Sequence, residues 1–170
     1  MAALRSPSQT VGPFFHEALR WKHGERVTGG SGPRVLLIGR LLDGDGAPVA
    51  DALVETWQAP AADAAKSADG KPHGIGRVET TREGTFRIET TLPAGAAPHL
   101  EVTIFARGLL KGLRTRVYLA AQAQVRADPS LGAIAGSPRL ATLVAQPGPG
   151  GEWRWDVRLQ GEAETVFFAA

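Results

Sequence analysis

The stretch Trp153-Arg154-Trp155-Asp156-Val157-Arg158-Leu159 alternates apolar and charged side chains without a break. Successive side chains of a β-strand point to opposite faces, so this period of two predicts a strand that buries both tryptophans, the valine and the leucine. The two arginines and the aspartate then face solvent. The clearest pattern in the chain is therefore that of a sheet with one buried face and one exposed face.

Shorter segments of alternating or β-branched residues recur along the rest of the chain, separated by turns such as the Asp-Gly repeat at 43–46. With 153–159 they predict about eight strands, the others lying at 35–39, 52–57, 85–89, 99–105, 115–119, 140–145 and 165–168. Many short strands without long helical periodicity predict an all-β fold, a β-sandwich or a barrel. Residues 1–34 are predicted to form an irregular N-terminal arm, with 20–33 a mobile connector, and residues 35–170 a single β-sandwich domain.

The composition excludes several classes of protein. The chain has 170 residues, 43% of them apolar and 21% charged, and a formal net charge of +2, as expected for a soluble globular domain. Its lysines and arginines are scattered, which argues against nucleic-acid binding, and no apolar run is long enough to span a membrane. The absence of cysteine excludes disulfides and thiolate metal ligands. Residues 1–10 lack the apolar run of a signal peptide, so a cytoplasmic location is expected.

Among the histidines, only His99 has a carboxylate on the same face of a predicted strand, that of Glu101. Such a pair can begin a metal site, but a redox metal needs three or four ligands, and no further ligand is grouped with these two. Hydrogen bonding or orientation is the favoured role of the pair. Arg107 follows the same strand and precedes Gly108, where a guanidinium either binds an anion at two points or is an ordinary surface cation.

Two other catalytic patterns are absent from the sequence. It contains no Gly-x-Ser-x-Gly motif of a serine hydrolase. The glycine-rich stretch 29–32 lacks the Gly-Lys-Ser/Thr of a phosphate loop and is predicted to be a flexible connector. Without a resemblance to a known family, the sequence therefore predicts a soluble β domain and does not indicate a function.

Several motifs together resemble those of the intradiol ring-cleavage dioxygenases. The general ones are Ser6-Pro-Ser-Gln-Thr-Val-Gly-Pro-Phe14, Asp43-Gly44-Asp45-Gly46, Val54-Glu55-Thr56-Trp57-Gln58-Ala59 and Gly74-Ile-Gly-Arg77. More specific ones resemble the alpha chains of the protocatechuate 3,4-dioxygenases within this family, namely Ala97-Pro98-His99, Ile104-Phe105-Ala106-Arg107-Gly108-Leu109 and the ending at 159–168. Their order and spacing extend over nearly the whole chain.

The resemblance implies a β-sandwich and an enzyme that opens a catechol ring between its two hydroxyls with O₂, converting 3,4-dihydroxybenzoate to 3-carboxy-cis,cis-muconate. It also implies a catalytic ferric ion, a Lewis acid held by two tyrosines and two histidines of a partner beta subunit. His99 matches one of these histidines, but Glu101 replaces the second. Tyrosine is absent from both ligand positions, and Tyr118 matches a strand aromatic. The chain is therefore expected to bind no iron itself.

For this chain the resemblance implies a complementary role. Thr10, Gly12, Pro13 and Arg107 are expected to reach the substrate pocket of the beta subunit, with protocatechuate and O₂ as small-molecule partners and no nucleic acid or membrane. Glu101 is expected to pair with an arginine beside this anionic pocket. The alternatives are an intradiol dioxygenase with its own iron, which the missing tyrosines disfavour, and a non-catalytic β-sandwich binding or scaffold module.

Overall fold

The computed structural model describes residue 12 and residues 18–61 and 73–169 of the chain. Within them, eight strands form two four-stranded sheets that share one core, which confirms the predicted all-β sandwich. The strands are β1 (Arg34–Leu42), β2 (Leu53–Trp57), β3 (Ile75–Glu79), β4 (Thr85–Thr91), β5 (His99–Phe105), β6 (Leu113–Tyr118), β7 (Gln146–Pro147) and β8 (Glu152–Arg158).

The first sheet has the strand order β4-β1-β8-β7 and the second has the order β3-β2-β5-β6. Strands β1 and β8 run parallel, and the other pairings between these strands are antiparallel. The parallel register places Gly39 beside Trp155. A side chain at Gly39 would overlap the ring of Phe86, so glycine is needed there for the two aromatic side chains to fill the core.

The core consists of the inward side chains of both sheets. Its most buried members, none more than 3% exposed, include Leu37, Leu41, Ile88, Val102, Ile104, Trp155 and Val157. Burying one such aliphatic side chain contributes about 1.5–3 kcal/mol. The alternation that predicted β8 is confirmed, since Trp155 and Val157 are buried and Trp153 and Leu159 pack against the same core.

Two strand predictions differ from the structure, and two short strands, β3 and β7, were not predicted. Residues 138–143 form a 3₁₀ helix, so the strand predicted at 140–145 is wrong. Pro138 has the backbone φ that the first helical turn requires, and the hydroxyl of Ser137 accepts a hydrogen bond from the N–H of Arg139. The ending at 165–168 makes a single bridge to β6 rather than a strand. Strand β3 was missed because Gly76 and Arg77 interrupt its apolar pattern.

Residues 20–33, predicted to be a mobile connector, instead run along the edges of both sheets. The N–H of Val27 donates to the carbonyl oxygen of Glu89 on β4 at 2.8 Å, and the N–H of Arg77 on β3 donates to that of Gly24, also at 2.8 Å. Unpaired edge strands expose backbone donors and acceptors, and this segment satisfies part of both edges.

A smaller apolar cluster lies beside the edge strand β6. The helices after that strand are α1 (Gln122–Arg126) and the 3₁₀ helices Pro129–Gly136, Pro138–Leu143 and Pro149–Gly151. The first three bury Tyr118, Leu131 and Leu140 between themselves and β6. The helical turns predicted within 121–136 are therefore present, and they bring their polar residues to one end of β5 and β6. In the part of the chain that is described, no helix is long and apolar enough to cross a membrane.

Candidate functional site

His99 and Glu101 lie on the outer face of β5, as predicted, while the residues between and after them point into the core. Nε2 of His99 is 3.8 Å from Oε1 of Glu101, and Nδ1 of His99 is 3.0 Å from the carbonyl oxygen of Ala97. A neutral His99 donates from Nδ1 to this carbonyl, which leaves Nε2 on the side of Glu101.

The carboxylate of Glu101 is paired with Arg116, its register partner on β6, which confirms the expectation that an arginine balances it. Nε of Arg116 donates to Oε1 of Glu101 at 2.7 Å, and Nη1 donates to Oγ of Ser130 at 2.6 Å. The side chains of the pair are only 23% and 31% exposed. Burial lowers the pKa of Arg116, but its interactions with Tyr118 and Glu101 outweigh this and raise it, so the guanidinium stays charged.

Tyr118, the only tyrosine of the chain, adjoins the same network. It is fully buried, its ring centroid lies 5.0 Å from that of His99, and its hydroxyl donates to Oδ2 of Asp128 at 2.7 Å. Burial and the hydrogen bond to Asp128 raise the pKa of Tyr118 to about 12. Burial acts to raise the pKa of Asp128 as well, but hydrogen bonds from Ser130 and Tyr118 leave it below its ordinary value. The site therefore pairs a neutral phenol with a charged carboxylate.

These side chains do not fit the ferric site that the resemblance implies for an iron-bearing chain. A phenolate ligand requires deprotonation, which the raised pKa of Tyr118 opposes, and a metal ion bound at Glu101 would face the fixed positive charge of Arg116. Across 18–61 and 73–169, no three histidine, aspartate or glutamate side chains are arranged to hold a metal ion. The network instead ties β5 and β6 to the 3₁₀ helix that follows them.

A cleft of about 510 Å³ opens beside this network. One wall carries His99, Glu101 and Trp57, which is the register partner of Glu101 on β2 and is 48% exposed. Another wall is the loop 92–95, and a third is the segment 30–33. The cleft therefore exposes the aromatic side chain of Trp57 next to Glu101, whose charge is balanced by Arg116.

Arg107 is not part of this cleft, because it follows the other end of β5, roughly 20 Å along the strand from His99. Its Nη2 lies 2.6 Å from Oδ2 of Asp51, and the two side chains are 62% and 47% exposed. The positive φ of Gly108 turns the backbone at this point, and Leu110 in the same loop is 64% exposed. His99 and Glu101 thus lie at one end of β5, and Arg107 lies beyond the other end.

The predicted residues of the arm are only partly described. Thr10 and Pro13 lie outside the described residues. Gly12 has a φ of +77°, a left-handed conformation that glycine adopts without strain. The contact of these residues and of Arg107 with a partner's pocket stays a prediction.

Asp128 and Ser130 complete the network, and Trp57 lines the cleft beside it; none of these three was singled out from the sequence as a site residue. Asp128 caps a helix that begins with Pro129, and its side chain accepts from the N–H of Ser130 at 2.9 Å. An aspartate before a proline is a helix-start signal, so this cap could have been found. Its contact with Tyr118 could not, because it depends on how the helix folds onto β6.

Comparison with known proteins identifies the family of the chain. The family described as Dioxygenase matches residues 10–98. The protocatechuate 3,4-dioxygenase alpha chain of Burkholderia cepacia is 39% identical in an alignment of 194 positions that covers 96% of this chain and 96% of that relative. The beta chain of the same enzyme from Burkholderia cepacia is 31% identical over 143 residues, which cover 72% of this chain and 59% of the relative.

The fold is shared with solved structures. The dioxygenase domain of a dioxygenase–carbohydrate-binding fusion protein from Streptomyces sp. SirexAA-E superposes with a TM-score of 0.57 at 21% identity, over 92% of this chain and 98% of that one. The alpha chain match runs nearly end to end, and the beta chain match is shorter and weaker. The chain therefore belongs to the dioxygenase family, in the group of the protocatechuate 3,4-dioxygenase alpha chains.

Proposed function

We propose that this chain is the iron-free alpha subunit of a protocatechuate 3,4-dioxygenase and works in a complex with an iron-bearing beta subunit. The complex cleaves 3,4-dihydroxybenzoate between its two hydroxyl-bearing carbons, and both atoms of O₂ enter the product, 3-carboxy-cis,cis-muconate. The ferric ion of the beta subunit supplies the Lewis acid for this reaction. This chain supplies a wall of the pocket and the groups that project from it.

The ion pair of Glu101 and Arg116 is the observation that carries this proposal. At the position where the resemblance implies a second histidine ligand, the chain has a carboxylate held 2.7 Å from a guanidinium. Removing either partner of a partly buried ion pair leaves an uncompensated charge, so the pair of Glu101 and Arg116 is stable as it stands. The guanidinium of Arg116 then repels a metal ion that approaches Glu101. Chemistry at a metal is thereby assigned to the partner.

The loop after β5 supports contact with that partner. Arg107 and Leu110 are both more than half exposed, and they lie three residues apart in the same turn. Arginine is one of the residue types that are enriched at protein interfaces, and Leu110 adds apolar surface beside it. The pairing of Arg107 with Asp51 is exposed and therefore weak, so the guanidinium can be redirected to a carboxylate of the substrate or to the pocket wall.

Co-expression with a beta-type chain tests the proposal. That chain carries a His-x-His strand and two suitably placed tyrosines. We expect a stable complex with one iron per pair of chains that consumes O₂ and 3,4-dihydroxybenzoate in equal amounts. Each chain made alone serves as the control and should be inactive or nearly so. A beta-type chain that is fully active alone and never associates with this chain would favour a scaffold module instead.

A further inference from the structure

The side chain of Arg77 links three separate parts of the chain. Its Nε and Nη2 lie 2.7 and 2.6 Å from Oε1 of Glu55, the register partner of Arg77 on β2. Nη1 donates to the carbonyl oxygen of Leu19 at 3.3 Å, and the guanidinium carbon lies 4.1 Å from the ring centroid of Trp21. Only 19% of the side chain is exposed, so these contacts are largely shielded from solvent.

The backbone of the same residue adds a second attachment. The N–H of Arg77 donates to the carbonyl oxygen of Gly24 at 2.8 Å. A side chain at Gly24 would overlap the carbonyl oxygen of Arg77, so only glycine lets the two backbones approach this closely. The nearby pair of Arg20 and Glu79 is longer, at 3.6 Å, and exposed, and it adds little. The attachments of Leu19, Trp21 and Gly24 to the second sheet therefore converge on Arg77.

We infer that Arg77 is a positioning residue that sets the direction in which the N-terminal arm leaves the sandwich. This inference rests on the proposed function, in which Thr10, Gly12 and Pro13 reach the partner's pocket. Seven residues of chain span at most about 25 Å, which bounds the distance between Leu19 and Gly12. Because this distance is bounded, a displacement of Leu19 shifts the space within which Gly12 can lie.

The chemistry of the site requires arginine. One edge of the planar guanidinium meets the carboxylate of Glu55, another N–H reaches the carbonyl of Leu19, and the flat face stacks on Trp21. A lysine ammonium is a single point charge and cannot make all three contacts at once. Lysine at this position should therefore restore the arm only in part.

The assembled enzyme provides the test. Arg77→Gln should raise KM for 3,4-dihydroxybenzoate about tenfold while kcat and iron content stay within about twofold, because the arm binds the substrate without touching the reacting bonds. Trypsin cleavage after Arg20 and Lys22 should become about tenfold faster, because the segment detaches more often. Arg77→Lys should fall between this variant and the wild type in both measurements.

Two further variants make the comparison specific. Arg40→Gln removes an arginine that lies 2.7 Å from Asp156 on the first sheet, and it should change neither KM nor trypsin cleavage. Trp21→Ala keeps the pair of Arg77 and Glu55 and removes only the stacking. It should give smaller changes in the direction of Arg77→Gln, and it provides the test if that variant assembles poorly.

An unchanged KM or unchanged trypsin cleavage in both Arg77→Gln and Trp21→Ala would overturn the inference, even if the melting temperature fell. Failure of the proposed function has a different result, because the wild-type complex would then not consume 3,4-dihydroxybenzoate at all. Trypsin cleavage would in that case still show whether Arg77 holds residues 19–24 against the second sheet.

Discussion

Nε of Arg116 lies 2.7 Å from Oε1 of Glu101, across the register pair that joins β6 to β5. The pair is flanked by His99 and Tyr118, which face each other in the same register. A permanent cation of the protein therefore lies among side chains whose types are otherwise those of metal ligands. The side chains of Glu101, Arg116 and Tyr118 each have a hydrogen-bond partner of complementary charge or hydrogen-bonding capacity, which makes the row a structural unit whose loss can be measured.

Replacing Glu101 by glutamine should lower the free energy of unfolding by about 1–3 kcal/mol, because a partly buried guanidinium loses its charged partner. Urea denaturation at neutral pH measures the change. The matched control is Glu152→Gln, because Glu152 is as shielded as Glu101, whereas its partner Arg154 is 68% exposed and lies 3.3 Å away. Since an exposed guanidinium is solvated when it loses its partner, this variant should cost no more than about 0.5 kcal/mol. Equal losses in the two variants would contradict a stabilising role for Glu101.

The chain made without its partner should bind no stoichiometric iron, and Glu101→His should not create a site. Arg116 would remain beside the new histidine, and the only tyrosine of the chain is already bonded to Asp128. Metal analysis and visible absorption spectroscopy measure this, with the assembled enzyme as the positive control. One tightly bound ferric ion per isolated chain, with a phenolate charge-transfer band, would show the prediction to be wrong.

Tyr118 should titrate with a midpoint of about 12 in the folded protein, compared with about 10 in the unfolded chain. Because the folded-state pKa is raised, the neutral phenol stabilises the fold fully below pH 10, and this contribution is lost as the pH rises through 12. The difference in phenolate absorbance between the wild-type and Tyr118→Phe complexes isolates this one tyrosine. A midpoint near 10 would mean that its hydroxyl is not held by Asp128.

In the assembled enzyme, Arg107→Ala should lower kcat/KM about ten- to a hundredfold while iron content is unchanged, because a charge-assisted hydrogen bond worth about 1.5–3 kcal/mol is lost. Arg107→Lys should rescue only part of this, since lysine lacks the planar fork. The melting temperature should barely change, because the pair with Asp51 is exposed.

The control for Arg107 is Asp51→Asn, which breaks the same ion pair and leaves the guanidinium in place. Asparagine tolerates the positive φ of this residue, 60°, so the backbone is not strained. Kinetics close to wild type are expected for this variant. Normal kcat/KM in Arg107→Ala together with a lowered melting temperature would leave Arg107 with a structural role only.

Strands with strict alternation could be predicted from the sequence, because a period of two identifies a half-buried strand without knowledge of its neighbours. This held for β5 and β8. The strand prediction failed at 140–145, because Ser137 and Pro138 start a helix there although the residues that follow are mostly apolar. Strand β3 was missed because it is defined by its pairing with β2 and not by an alternating pattern of its own.

For the site, the sequence by itself determined the inventory of side chains: a single tyrosine, no cysteine, and His99 and Glu101 on one face of a strand. That inventory lacks the ligand set of an iron-bearing relative. Only the tertiary structure decided which arginine pairs with Glu101, namely Arg116, and that the hydroxyl of Tyr118 donates to Asp128. These choices follow from strand register and from the helices packed on β6, both of which depend on burying the apolar faces of distant segments together.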